Sequence, residues 1–226
     1  MTYREIMKEL EALGTAQNRK VYRRHGAGEN LFGVSFANLG KLQKKIKIDH
    51  DLAEKLWASG NIDAQSLATM IIDPKQAGED FLDRMVREIS NYNLVDIFVR
   101  NLVSKSPHAR KKMEQWVKSK DEWIGRAGWM LLSLLAMQDK DLPDVQLEKF
   151  LQTIEKNIHQ AKNRTREAMN SALISIGIRN DRMENLAVSA AKRIGPVEVD
   201  HGETACKTPD AVTYIQKARA RSKKKN

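Results

Sequence analysis

Leu56-Trp57-Ala58-Ser59, followed across Gly60-Asn61 by Ile62-Asp63-Ala64, is echoed later by Gln115-Trp116-Val117-Lys118-Ser119 before Trp123-Ile124-Gly125-Arg126-Ala127. In both places an apolar-periodic run ends just after a tryptophan, and a second run starts beyond a short polar break. Each copy reads as helix, turn, helix. Each pair opens a unit of roughly thirty to forty residues, the period of helical solenoids in which every pair lends its apolar face to the next. An ordinary helical bundle is the alternative, because a repeat this degenerate can also arise by chance.

Outward from these two copies, apolar residues recur at three and four positions almost throughout, and no run long enough to count shows the strict alternation of half-buried strands. The chain therefore reads as all-α. Gly14, His25-Gly26-Ala27-Gly28, Ser59-Gly60, Asp73-Pro74, Ser106-Pro107, Leu142-Pro143, Asn180 and Gly195-Pro196 supply the stop and restart signals. One continuous body is expected over residues 1–218, with a basic, disordered tail over 219–226. If the second helices of the pairs line a groove, their apolar registers place Gln65, Asp96 and Arg126 at corresponding positions, with Arg164 and Arg166 near the matching place further on. The alternative is that these are ordinary solvent-facing positions of amphipathic helices.

Lys and Arg number 39 against 29 Asp and Glu, a net charge of +10, which points to a polyanionic partner or, more plainly, to a solubility surplus. Lys41, Lys44 and Lys45 lie on one side of an expected helix, where phosphate contact and simple solvation fit equally well. The single cysteine, Cys206, excludes an internal disulfide framework, and Met1 to Leu13 mixes charged with apolar residues instead of forming a signal core. A reducing, cytoplasmic location is expected, as a monomer and without a membrane span. His201 and Cys206 are too few for a structural zinc site, and Gly26, Gly28 and Gly33 follow no strand and make no phosphate loop. No metal or organic cofactor is expected.

Three stretches carry a resemblance when read in order: Tyr22-Arg23-Arg24-His25-Gly26 with Phe32-Gly33-Val34; Asp49-His50 through Leu56-Trp57-Ala58-Ser59-Gly60; and Asp73-Pro74. Together with Asn91-Tyr92-Asn93-Leu94-Val95-Asp96, Trp123-Ile124-Gly125-Arg126-Ala127 and the block Asp200 to Asp210, they resemble the DNA alkylation repair family, the AlkD-like glycosylases built from HEAT-like repeats. The resemblance implies an α-α superhelix of HEAT-like helix pairs with a concave basic groove. It further implies a partner, duplex DNA containing alkylated bases, from which cationic purines such as N3-methyladenine or N7-methylguanine are released.

The resemblance also assigns residues. Asp96 matches the family's aspartate and Arg126 its arginine, while Tyr92 and, at or near its place, Ser171 stand where the family has tryptophans. Tyr22 matches an aromatic residue used near the DNA backbone. A cationic purine is already a good leaving group, so the chemistry mainly requires a fixed carboxylate to stabilise the oxocarbenium-like sugar and orient water. Asp96 would do this, with the electron-rich face of Tyr92 beside it and Arg126 holding a flanking phosphate. Read without the resemblance, Asp96 would instead pair with Arg100 four positions on. The departures at Tyr92 and Ser171 keep a second reading open, a HEAT-like repeat protein that binds DNA with weak or no catalysis.

Overall fold

A computed structural model describes residues 1–223, which contain thirteen α-helices and no strand. The chain divides into two compact units, Met1–Ala109 with Gly202–Thr204, and Arg110–His201 with the segment from Ala205 onward. The division falls beside the Ser106-Pro107 stop signal.

The first unit holds α1 (Tyr3–Leu13), α2 (Ala16–Arg24), α3 (Phe36–Ile46), α4 (His50–Ala58), α5 (Ile62–Ile71), α6 (Glu79–Arg87) and α7 (Tyr92–Asn101). The starts follow local chemistry: Thr2 makes a capping box with Glu5, and Ser35, Asp49, Asn61 and Asn91 each accept a hydrogen bond from a first-turn amide. The pair α4 and α5 is the first copy of the echoed motif; Trp57 is buried and its indole donates to Glu88 at 2.6 Å. Helix α5 is buried almost all round and packs on α3, α4 and α7. Its even hydrophobicity, against the marked two-sidedness of α6, is what a central helix requires.

The second unit continues with α8 (Ala109–Trp116), α9 (Glu122–Gln138), α10 (Asp144–Asn157), α11 (Asn163–Ile178), α12 (Asp181–Ile194) and α13 (Ala211–Lys223). Helix α11 lies against α9, α12 and α13. The second copy of the motif, α8 and α9, closes on Gly128: a Cβ there would stand 2.4 Å from the Val117 amide nitrogen and 2.9 Å from the Trp116 Cβ. Gly177 plays the same part between α11 and its neighbours, 2.6 Å from Ile215 and 2.9 Å from Ala187 for an added Cβ.

The expected loose tail falls partly on α13, which runs through Arg219 and Arg221 to Lys223. Arg219 pairs with Asp181 and with Glu184 at 3.2 Å and donates to the Ile178 carbonyl, so it is anchored on α12 and the end of α11. Apolar Ala211 and Ile215 bury the other side of the helix. The remainder of the tail, Lys224 to Asn226, lies outside the described residues.

Candidate nucleic-acid interface

In the first unit the loop between α2 and α3 is organised by one buried carboxylate. Asp63, in the first turn of α5 and 2 % exposed, accepts from the backbone amides of Phe32, Gly33 and Val34 at 2.6, 2.9 and 2.9 Å. The carbonyls of the same three residues are taken up by Arg19, by Asn18 together with the Thr15 amide, and by the Tyr22 hydroxyl at 2.8 Å. Gly33 has φ +81°, and a Cβ there would meet the Thr15 carbonyl at 2.7 Å, which explains the glycine in Phe32-Gly33-Val34. Tyr22 is thus tied to the loop. Burial, with the nearby Asp63 carboxylate adding to it, pushes its phenol above the ordinary value.

The Tyr22 ring lies 6.3 Å from that of Phe36, tilted at 52°. His25, at the end of α2, reaches α7, where its Nδ1 hydrogen-bonds the Tyr92 hydroxyl and its ring meets the Tyr92 ring edge-on. Four residues beyond Tyr92, on the same side of α7, stands Asp96, and both are half-buried. Gln65 is placed otherwise than an exposed rung: it is 6 % exposed, and its amide donates to the Trp57 carbonyl at 3.4 Å. Lys41, Lys44 and Lys45 are exposed on α3; Lys45 pairs with Glu9 at 3.4 Å.

In the second unit the arginines converge on a glutamate. Arg126, 4 % exposed, donates from Nη1 to Glu167 Oε2 at 2.8 Å and to the Arg164 carbonyl at 3.1 Å, and Arg164 Nη1 meets the same Oε2 at 3.1 Å. Burial by itself would raise the Glu167 carboxyl, but the charges and hydrogen bonds of Arg126 and Arg164 outweigh it and hold the group below its ordinary value. His201 Nδ1 stands 3.8 Å from Glu167 Oε1. Arg166 spends its guanidinium on the carbonyls of Glu198, His159 and Ala161. Ser171 donates to the Glu167 carbonyl one turn back, so this position offers a hydroxyl engaged with its own helix and no aromatic face.

The sequence profile of the family described as DNA alkylation repair enzyme matches residues 6–215. The chain belongs to this family. Among its relatives, the uncharacterized protein Lmo0209 of Listeria monocytogenes is 31 % identical over 99 % of this chain and all of its own length. Lin0241 of Listeria innocua, also uncharacterized, is 30 % identical over 98 % of this chain and 99 % of its own. A solved structure, described as representing a new family of proteins related to the HEAT-like repeat DNA glycosylases with affinity for branched DNA structures, superposes with a TM-score of 0.90. It is 34 % identical and covers 98 % of this chain and 95 % of its own. The all-α HEAT-like repeat fold of the DNA alkylation repair enzymes is therefore the fold of this protein.

Against that family background, the residues whose partners sequence reasoning did not foresee are Asp63, His25 and Glu167. Glu167 had a local signal, its i, i+3 spacing from Arg164. Asp63 and His25 had none, since their partners lie about thirty and sixty-seven residues away. Among the described residues no group of three or more His, Cys, Asp or Glu is placed to hold a metal ion, and no helix is long and apolar enough to cross a membrane.

Proposed function

We propose that this protein binds DNA through the sugar-phosphate backbone and favours branched DNA. The observation that carries the reading is a set of cations on α2 and α3: Lys20, Arg24, Lys41 and Lys44 are all exposed, and among the described residues none has a carboxylate within ion-pair distance. Cations without a protein partner hold small counterions, and a polyphosphate chain that displaces these gains their release. The affinity for branched DNA ascribed to the 34 % identical protein supports the substrate class. Arg126 supports it from the other side. Its buried guanidinium is paired with Glu167 and would have to give up that pair to clamp a phosphate.

A second reading is hydrolysis of the glycosidic bond of cationic N-alkylpurines, favoured by one specific observation, the half-buried Tyr92 and Asp96 one turn apart on α7. In this reading Asp96 would stabilise the developing oxocarbenium charge and orient water, and no cofactor is required.

Fluorescence anisotropy with a four-way junction and a linear duplex of matched sequence, over a salt series, tests the first reading. Tighter binding of the junction with a steep fall in salt supports it, and no binding to either DNA overturns it. Base release from methylated duplex, by wild type beside Asp96→Asn, tests the second. Release above the spontaneous rate that the variant loses establishes excision, and no release while binding persists rejects it.

A further inference from the structure

The first unit contains a cavity of about 220 Å³ that the backbone-binding reading leaves unused. Its walls are mostly apolar, formed by Val21, Val34, Leu39, Leu94 and Ile97, and its aromatic edge is the tilted pair Tyr22 and Phe36, of which Phe36 is 54 % exposed. Phe36 thus presents an aromatic face to solvent at the rim of the cavity.

Asn91 also lines this cavity. It is 1 % exposed, its Oδ1 caps α7 by accepting from the Leu94 amide at 2.9 Å, and its Nδ2 has no hydrogen-bond partner. A buried amide donor without an acceptor costs free energy, so native structures rarely leave one unless water or a ligand completes it. Oδ1 is fixed by the cap, which excludes a swapped amide as the explanation. The carboxylate in the lining, Asp63, is already saturated by the three loop amides and does not call for a cationic occupant.

The occupant must therefore be small and neutral, apolar on its flat faces, and able to accept a hydrogen bond at its edge. The volume is several times the roughly 30 Å³ share of a water molecule, enough for a planar heterocycle. The two helices that supply the aromatic edge, α2 and α3, also carry Lys20, Arg24, Lys41 and Lys44, which suit a polyanionic chain attached to that heterocycle. We infer that this cavity receives one unpaired nucleobase of the bound DNA, stacked against Phe36 and Tyr22, with an acceptor on its edge completing Asn91 Nδ2. The inference rests on the DNA-binding reading and adds to it a reason for favouring DNA with unstacked bases, since every base offers an aromatic face.

The test compares two duplexes that differ by a single unpaired adenine, with wild type, Phe36→Ala, which removes the exposed wall, and Ile97→Phe, which fills the cavity from α7. Thermal melting shows whether each variant is folded. Wild type is expected to bind the bulged duplex tighter by on the order of tenfold, the scale of one base-aromatic stack. Both variants should bring that ratio close to one and leave the affinity for the fully paired duplex unchanged. Equal affinity of the wild type for the two duplexes overturns the inference while DNA binding stands, and so does a preference that survives in a folded variant. Failure to bind either duplex overturns the DNA-binding reading and this inference with it.

Discussion

Arg126 and Glu167 stand forty-one residues apart in sequence and meet at 2.8 Å, with the arginine almost wholly buried and the glutamate only 22 % exposed. Arg164 shares the same carboxylate oxygen, so one negative charge is shared by guanidinium groups of two helices, α9 and α11. A pair of this kind is weak evidence of net stability, but removing one partner is costly.

Glu167→Gln should therefore destabilise the protein by about 3 kcal/mol, because Arg126 and Arg164 would lose the carboxylate they share. Chemical denaturation of wild type and variant checks this.

The same glutamate contributes a pH dependence. Its carboxyl is held below the ordinary value of 4.5 in the folded protein, so the unfolded chain takes up the proton first as the medium is acidified. The contribution is fully present above the unfolded value and is lost as pH falls through the lower, folded one. Melting temperatures between about pH 6 and pH 3 should fall more steeply for wild type than for Glu167→Gln.

Asp63 accepts three backbone amides, and Asp63→Asn replaces the charged acceptor by a neutral one with a single accepting oxygen. At about 1.5 to 3 kcal/mol for a hydrogen bond to a charged group, a loss of at least about 3 kcal/mol is expected. Hydrogen exchange should quicken first at Phe32, Gly33 and Val34, and its unchanged protection there would show that the carboxylate does not hold the loop.

Gly33→Ala and Gly128→Ala should both destabilise, for different reasons. Gly33 has φ +81° and faces the Thr15 carbonyl, whereas Gly128 has ordinary helical backbone and is limited by the Trp116-Val117 backbone. Each should cost about 1 to 3 kcal/mol, measured by denaturation.

Lys41→Ala and Lys44→Ala should each reduce the slope of log affinity against log salt by about one, and should weaken branched and linear DNA alike, because a phosphate contact carries no sequence information. An unchanged slope in the double variant would place the DNA elsewhere.

Much of the fold was legible because burial in a helix is a local, periodic property. The i, i+3, i+4 spacing and the caps at Asn61, Asn91, Asp121 and Asn180 mark where α5, α7, α9 and α12 begin, and neither depends on distant residues. The order of the family's motifs was legible in the same way. The candidate site was legible only in part. Tyr92 and Asp96 share a helix, so their common face follows from their spacing, but the hydrogen bond between His25 and Tyr92 does not.

By itself the sequence determined an all-helical repeat chain with a surplus of positive charge. Tertiary structure decided which of those charges stay exposed and which are paired inside. Arg126, Arg164, Arg166 and Arg219 look like Lys41 and Lys44 in composition, yet the arginines are bound to Glu167, to backbone carbonyls, or to Asp181 and Glu184. The reason is physical: periodicity is set by neighbours three and four positions away, whereas the partner of a charge is set by which remote helix the packing brings within about 4 Å.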